Sequence, residues 1–210
     1  MTGTFRRRFG RTVAEARRWN NPDGSVGGVV ALGSRIYENV TLPLSVVVSP
    51  RAHIGYGVHI GDYGRIGTSA FIGDGAYIGN GAFIGDGSHI GSGSHIGNNA
   101  HIGDGVRIGI GVYIGDGVRI NTDDWFFVAG PQGSHNALAT AVYSGNRGLR
   151  WWVGCQRGIT TRMLRNRVER YHGDTPMGDD YRYLIDMVER HPGLLRAEKA
   201  AKTAKARRKV

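Results

Sequence analysis

The sequence predicts a mainly β fold in which short strands alternate with tight corners, and three observations carry that prediction. Isoleucine occurs at 54, 60, 66, 72, 78, 84, 90, 96, 102, 108, 114 and 120, twelve times at a spacing of six without an insertion or deletion. Two residues before each one stands a small or modest side chain, from Ala52, Val58 and Gly64 through to Val106, Val112 and Val118. Period two within period six marks short strands with one buried face. One residue after each isoleucine, up to Gly115, stands a glycine, and the next positions are mostly Asp, Asn, Ser, Thr or Gly. Such residues accept positive φ or hydrogen-bond their own backbone at turns. A helix is excluded, because a six-residue period keeps no face of a 3.6-residue spiral buried and each interior glycine costs about 1 kcal/mol relative to alanine.

The consensus small-x-Ile-Gly-(Asp/Asn)-Gly resembles the hexapeptide repeat of the left-handed parallel β-helices, the fold of the trimeric hexapeptide acyltransferases. The resemblance implies a left-handed triangular prism in which three hexapeptides form one coil of about 18 residues, the coils stacking at ~4.8 Å. Ala52 to Ile120 then supplies about four coils. The register continues backward through Val48, Leu42, Ile36 and Val30, with Pro43 and Pro50 at or near corners, where a missing N–H does least harm. The β-helix is assigned residues 28–122.

Stacked coils expose unpaired edges at both ends and need caps. Residues 1–27 form a basic amphipathic segment. There Thr4–Trp19 alternates arginines with Phe5, Phe9, Val13 and Trp19, a pattern that predicts an N-terminal helix broken by Gly10 and ended by Asn20-Asn21-Pro22-Asp23-Gly24. It is expected to cap the prism or to contact an anionic partner.

After Ile120 the glycine rhythm stops, and residues 123–192 are read as a small α+β module of ββαα order. Trp125-Phe126-Phe127-Val128 is apolar enough to cover the last coil. Leu138–Ser144 and Leu149–Cys155 flank Gly145-Asn146-Arg147-Gly148 as a β-hairpin. Helices are predicted over Thr160–Tyr171, closed by His172-Gly173, and over Gly178–Glu189, stopped by His191-Pro192-Gly193. Residues 193–210 are a basic tail. The pattern Gly130-Pro131-x-Gly133-Ser134-His135-Asn136, Gly154-Cys155-x-x-Gly158 and His172-Gly173 resembles a small uncharacterised phage and bacterial module, and that resemblance implies no activity. Ser134, His135, Asn136 and Arg157 are the candidate ligand-binding residues of the module. Cys155 with His172 and His135 has the makings of a nucleophile and base, although a buried strand-end cysteine is the commoner arrangement.

On the β-helix, the residue before each isoleucine should point outward and stack on those 18 positions away. Three columns result: His53, Phe71, His89 and Arg107; His59, Tyr77, His95 and Tyr113; Arg65, Phe83, His101 and Arg119. Aromatic and arginine side chains are what protein interfaces enrich, and the column His59, Tyr77, His95 and Tyr113 is the candidate subunit interface. The family resemblance implies a parallel homotrimer with a histidine near the subunit cleft as general base. His89, His95 and His101 are then the catalytic candidates, and Arg65, Arg107 and Arg119 the candidates for gripping coenzyme A phosphates. Plain ring packing is the competing reading, since the same repeat position takes Tyr, Phe and Arg. No metal is assigned: the close histidine pair of the gamma-class carbonic anhydrases has no match here. Stacked corner residues such as Asp86 and Asp104 fit turn chemistry better than calcium.

Charge is segregated. The chain carries a net +10, with six arginines against Glu15 in residues 1–20, and seven basic residues against Glu198 in residues 193–210. Such ends suit nucleic acid or an anionic surface. The single cysteine excludes a disulfide framework. No run approaches the ~18 apolar residues of a membrane span and no signal peptide is evident, so a cytoplasmic or virion-associated protein is expected. Three functions follow, one of them, compatible with the first below, a nucleic-acid-associated protein that acts through its basic termini. The first is a non-catalytic homotrimeric scaffold or binding protein, without cofactor, that displays its C-terminal modules to a protein partner in a phage or surface assembly. It rests on the repeat between residues 52 and 120 lacking the loop excursion common among the enzymes. The alternative is acyl transfer from a coenzyme A thioester with an inter-subunit histidine.

Overall fold

Each hexapeptide closes into a two-residue strand and a corner. The computed structural model describes residues 3–132, 137–153 and 156–207, and the chain divides into two units, Met1–Thr122 and Asp123–Val210. The first unit opens with β1 (Phe5–Phe9), β2 (Thr12–Asn20) and β3 (Val26–Ala31). Two-residue strands follow: β4 (Arg35–Ile36), β5 (Val47–Val48), β6 (His53–Ile54), β7 (His59–Ile60), then one every six residues to β17 (Arg119–Ile120). Strands 18 residues apart pair in parallel and in register, so Ile84 lies beside Ile66 and Ile102. This is a left-handed parallel β-solenoid. All twelve repeat isoleucines are at most 1 % exposed, each contributing about 1.5–3 kcal/mol of burial. The backward register is present, with Ile36 beside Ile54 and Val30 beside Val48.

The repeat glycines serve two separate constraints. From Gly55 to Gly103 the glycine after each isoleucine lies against the next coil: a Cβ on Gly85 would sit 2.5 Å from the Gly103 carbonyl carbon and 2.6 Å from the Asp104 nitrogen. Positive φ occurs two residues later, as at Gly87 (φ 65°) and Gly105 (φ 68°), and at four non-glycine corners, Arg51, Tyr63, Ser69 and Asn99. Corner side chains knit the coils together as well. Thr68 N donates to Asp86 Oδ1 at 2.6 Å, Asp86 N to Asp104 Oδ1 at 2.8 Å, and Asp62 N to Asn80 Oδ1 at 2.8 Å.

The predicted N-terminal helix is absent; residues 5–20 form an antiparallel hairpin, and the helices lie at the C-terminus, within residues 161–207. Phe9 pairs with Thr12 across Gly10-Arg11, the glycine at φ 54°. This is a Gly-X two-residue hairpin loop, and it competes successfully with a helical pattern that glycine would have broken anyway. Strand β2 pairs antiparallel with β3, which pairs in parallel with β5. The hairpin therefore caps one sheet by extending it. Its outer strand carries Arg6, Arg7 and Arg8, all exposed, and such charges discourage further edge pairing. Asn21 fastens this end, accepting from Leu42 N at 2.9 Å, while Trp19 Nε1 donates to Val40 O at 2.9 Å.

The second unit is larger than ββαα. A four-stranded antiparallel sheet runs β18 (Trp125–Gln132), β19 (Ala137–Ser144), β20 (Gly148–Val153) and β21 (Gln156–Ile159) in sequential order. Three helices follow, α1 (Thr161–Tyr171), α2 (Pro176–Glu189) and α3 (Pro192–Arg207). Trp125–Val128 is thus a strand paired with β19. Pro192, read as a stop, opens α3, because proline's missing N–H costs nothing in a first turn. Thr160 and Thr175 cap α1 and α2, accepting from Met163 N and Gly178 N. Trp151, Ile185, Val188, Leu164 and Val168 fill the core. Among the described residues, no helix is long and apolar enough to cross a membrane.

The glycine contacts give a test at the same repeat position on two different sheets. Gly85→Ala is expected to destabilise the prism by about 1–3 kcal/mol. Gly109→Ala, where the nearest atom to a Cβ is Val112 Cγ2 at 3.6 Å, should change stability by at most about 0.5 kcal/mol. Chemical denaturation of the two variants checks this, and equal costs would refute the contact.

Candidate functional site

The outward position just before each isoleucine is set by the strand pleat, and in-register pairing places those residues directly over one another. Tyr77 lies between His59 and His95, and His95 between Tyr77 and Tyr113. Their rings form one continuous stack, with centroids 4.8, 4.4 and 4.3 Å apart and planes within 9° of parallel. On the second sheet His53, Phe71 and His89 stack at 5.0 and 4.6 Å, and Arg107 pairs beside His89. On the third, Phe83 and His101 stack at 4.7 Å between Arg65 and Arg119.

His89, His95 and His101 belong to three different sheets, so one protomer does not bring them together. His95 has the most distinctive environment. With a phenol ring on each face, it offers solvent only its edge, where the nitrogens lie. Burial holds its imidazole below the ordinary value of 6.5, and the Asp116 carboxylate partly opposes that shift. It is therefore neutral at neutral pH and able to accept a proton.

The three candidate arginines are exposed. Arg65 and Arg119 share a sheet with two strands between them, and Arg107 lies on another. An extended anion touching all three would have to span two faces. Asp86 and Asp104 each have an oxygen occupied by a backbone N–H. Among the described residues, no group of three His, Cys, Asp or Glu side chains gathers as a metal ion would need.

Ser134, His135, Asn136 and Cys155 lie outside the described residues. Arg157 is exposed on β21, and His172 caps α1 with its ring 5.5 Å from Tyr181. The tyrosines at Tyr37, Tyr56 and Tyr63 escaped the sequence reading. Tyr37 meets His53 and Tyr56 edge-on at 6.3 and 6.4 Å, and Tyr63 is 70 % exposed at positive φ. Tyr56 and Tyr63 flank β7 in sequence. Their signal was available as bulky rings at corner positions where the repeat prefers Asp, Asn or Gly.

Residues 75–110 match the family described as bacterial transferase hexapeptide (six repeats). The prism is a hexapeptide-repeat β-solenoid, consistent with the transferase-like superfamily fold. The matched span contains His89, His95, His101 and Arg107. No curated protein matches the chain.

Burial of His95 has a pH consequence with a defined sign. A lowered folded-state pKa costs nothing above the unfolded value of about 6.5. As pH falls below that, the unfolded chain takes up the proton first, and stability is lost until pH passes the folded value. His95→Phe, which keeps the stack, is expected to reduce the loss of stability between about pH 7 and pH 5. NMR titration should place the His95 ring below 6.5; a value at or above it would contradict the burial argument.

Proposed function

We propose that the solenoid is an acyltransferase that uses a coenzyme A thioester and works as a homotrimer, with its site in the cleft between neighbouring prisms. The observation that carries this reading is the transferase hexapeptide match over residues 75–110, the span that bears the three histidines. His95 is the base best suited to the role, because burial keeps it neutral and its ring edge is what remains open. It takes the proton from an acceptor hydroxyl or amine as the acceptor's oxygen or nitrogen bonds to the thioester carbonyl carbon. The carbon–sulfur bond then breaks and the departing thiolate is protonated. Arg65, Arg107 and Arg119 do not converge within one protomer, so a cleft between two prisms supplies the phosphate-binding surface. Stacked aromatic columns suit such a contact, since rings in fixed rotamers lose little entropy when buried.

One observation favours a second reading. From Ala52 to Ile120 every sixth residue returns to the core, and no segment leaves the coil to fold over a substrate. A non-catalytic trimeric scaffold that displays its C-terminal units needs nothing more.

The experiment that separates the two uses the full chain. Light scattering is expected to give three times 22.8 kDa. Acetyl-coenzyme A at about 100 times its dissociation constant should add about 2.7 kcal/mol of stability, whereas a fragment lacking the pantetheine arm should add less. With a panel of amine and hydroxyl acceptors, thiol release should fall in His95→Ala while the trimer persists. A trimer unmoved by millimolar acetyl-coenzyme A would leave the scaffold in its place.

A further inference from the structure

Helix α3 presents one face to its own unit and the other to solvent, and its charges are divided between them. Leu194 is buried, Ala197, Glu198 and Ala201 are half-buried, and Ala201 lies against Gly145 of the β19–β20 turn. Glu198, the helix's single acid, faces inward: burial, and with it the Glu198 charge, raises the Tyr143 hydroxyl above its ordinary value. The outer surface carries Arg196, Lys199, Lys202 and Arg207, and Lys205, one turn past Ala201 on the inner stripe, is exposed as well. Among the described residues, none of these five makes an ion pair. Four other acids of the unit are engaged elsewhere, Asp186 and Glu189 with Arg165, and Glu169 and Asp179 with Arg182.

We propose that this outer face of α3 binds double-helical DNA through its phosphates. Arg196 to Arg207 spans about 16 Å of helix, along which a duplex presents one phosphate charge per ~1.7 Å. Among the cations lie small side chains, Ala200, Thr203 and Ala204, which line the same surface and let the helix approach closely. Three alternatives fit less well. A bilayer calls for a face of Trp, Phe or Leu, and Leu195 is the one large apolar side chain exposed on α3. Single strands are gripped by stacking on aromatic rings, and α3 has none. A-form RNA has a major groove too narrow to admit a helix, whereas that of B-DNA, ~12 Å wide, does admit one.

Fluorescence anisotropy of the full chain with a labelled duplex of about 25 bp, between about 50 and 200 mM salt, tests this. The affinity should fall with a log–log slope of about −4, from four to five neutralised phosphates. The triple variant R196E/K199E/K202E, whose side chains touch no core, should keep its circular dichroism yet flatten the slope by about 3 and lose at least about tenfold in affinity at low salt. Thr203→Lys should steepen the slope. No binding at low salt, an unchanged slope in the triple variant, or equal affinity for phosphatidylserine vesicles, single strands or an RNA duplex would overturn the proposal.

Discussion

The prism depends on how closely consecutive coils approach at the corners. Where a Cβ on Gly85 would stand 2.5 Å from the carbonyl carbon of Gly103, a side chain fits only if the coils separate. Separation would lengthen the bonds that join them, such as Gly85 N to Ile102 O at 2.7 Å and Phe83 N to Ala100 O at 2.9 Å. The glycines that follow the isoleucines from Gly55 to Gly103 therefore fix the spacing, and the spacing fixes the register. Once the register is locked, every outward side chain sits on the equivalent residue of the next coil. The ring stacks follow from backbone geometry as much as from attraction between the rings, which adds about 0.5–1.5 kcal/mol per pair.

The same geometry limits the chemistry one prism can perform. Outward residues on a coil diverge, because they stand on three faces of a triangle, and residues on one face are already paired with their neighbours above and below. A histidine in such a column keeps only its edge free. Convergent catalytic groups must then come from a second prism or from a segment that leaves the coil, and the described repeat has no such segment. This is why acyl transfer and assembly are bound together in the proposed function.

Legibility in the sequence tracked periodicity. Twelve isoleucines at a fixed spacing revealed strands, columns and the backward continuation to Val30, since each is a translation of one motif. The hand of the coil came from the family resemblance, because a period carries no chirality. The non-repeating ends were harder. Phe5, Phe9 and Val13 fit a four-residue spacing as well as alternate positions of a ribbon, and only Gly10-Arg11 distinguishes them. Pro192 is equally compatible with ending one helix and starting another. The distinction between glycines that admit a neighbouring coil and glycines that take positive φ was invisible, since both are written with the same letter. The environment of His95 was equally hidden: its tyrosine neighbours are legible as positions 18 away, but how far they bury it is not.

Charge explains why the ends are so unlike the middle. Side chains in one column stand about 4.8 Å apart, where two like charges repel by about 1 kcal/mol in water and about 3–4 kcal/mol at the effective dielectric of a protein surface. A repeated charge would incur that cost at every coil. The columns avoid it: Arg65 is separated from Arg119 by Phe83 and His101, and Arg107 from Arg35 by His89, Phe71 and His53. The stacked carboxylates Asp86 and Asp104 are tolerated because each accepts a backbone N–H. Lysine is missing from the repeat altogether, and all four lysines lie between residues 199 and 209. A solenoid with this register has to carry its net charge on segments that do not stack. The hairpin arginines and α3 are those segments, and the same repulsion that excludes their charges from the prism leaves them concentrated where an anionic partner can meet them.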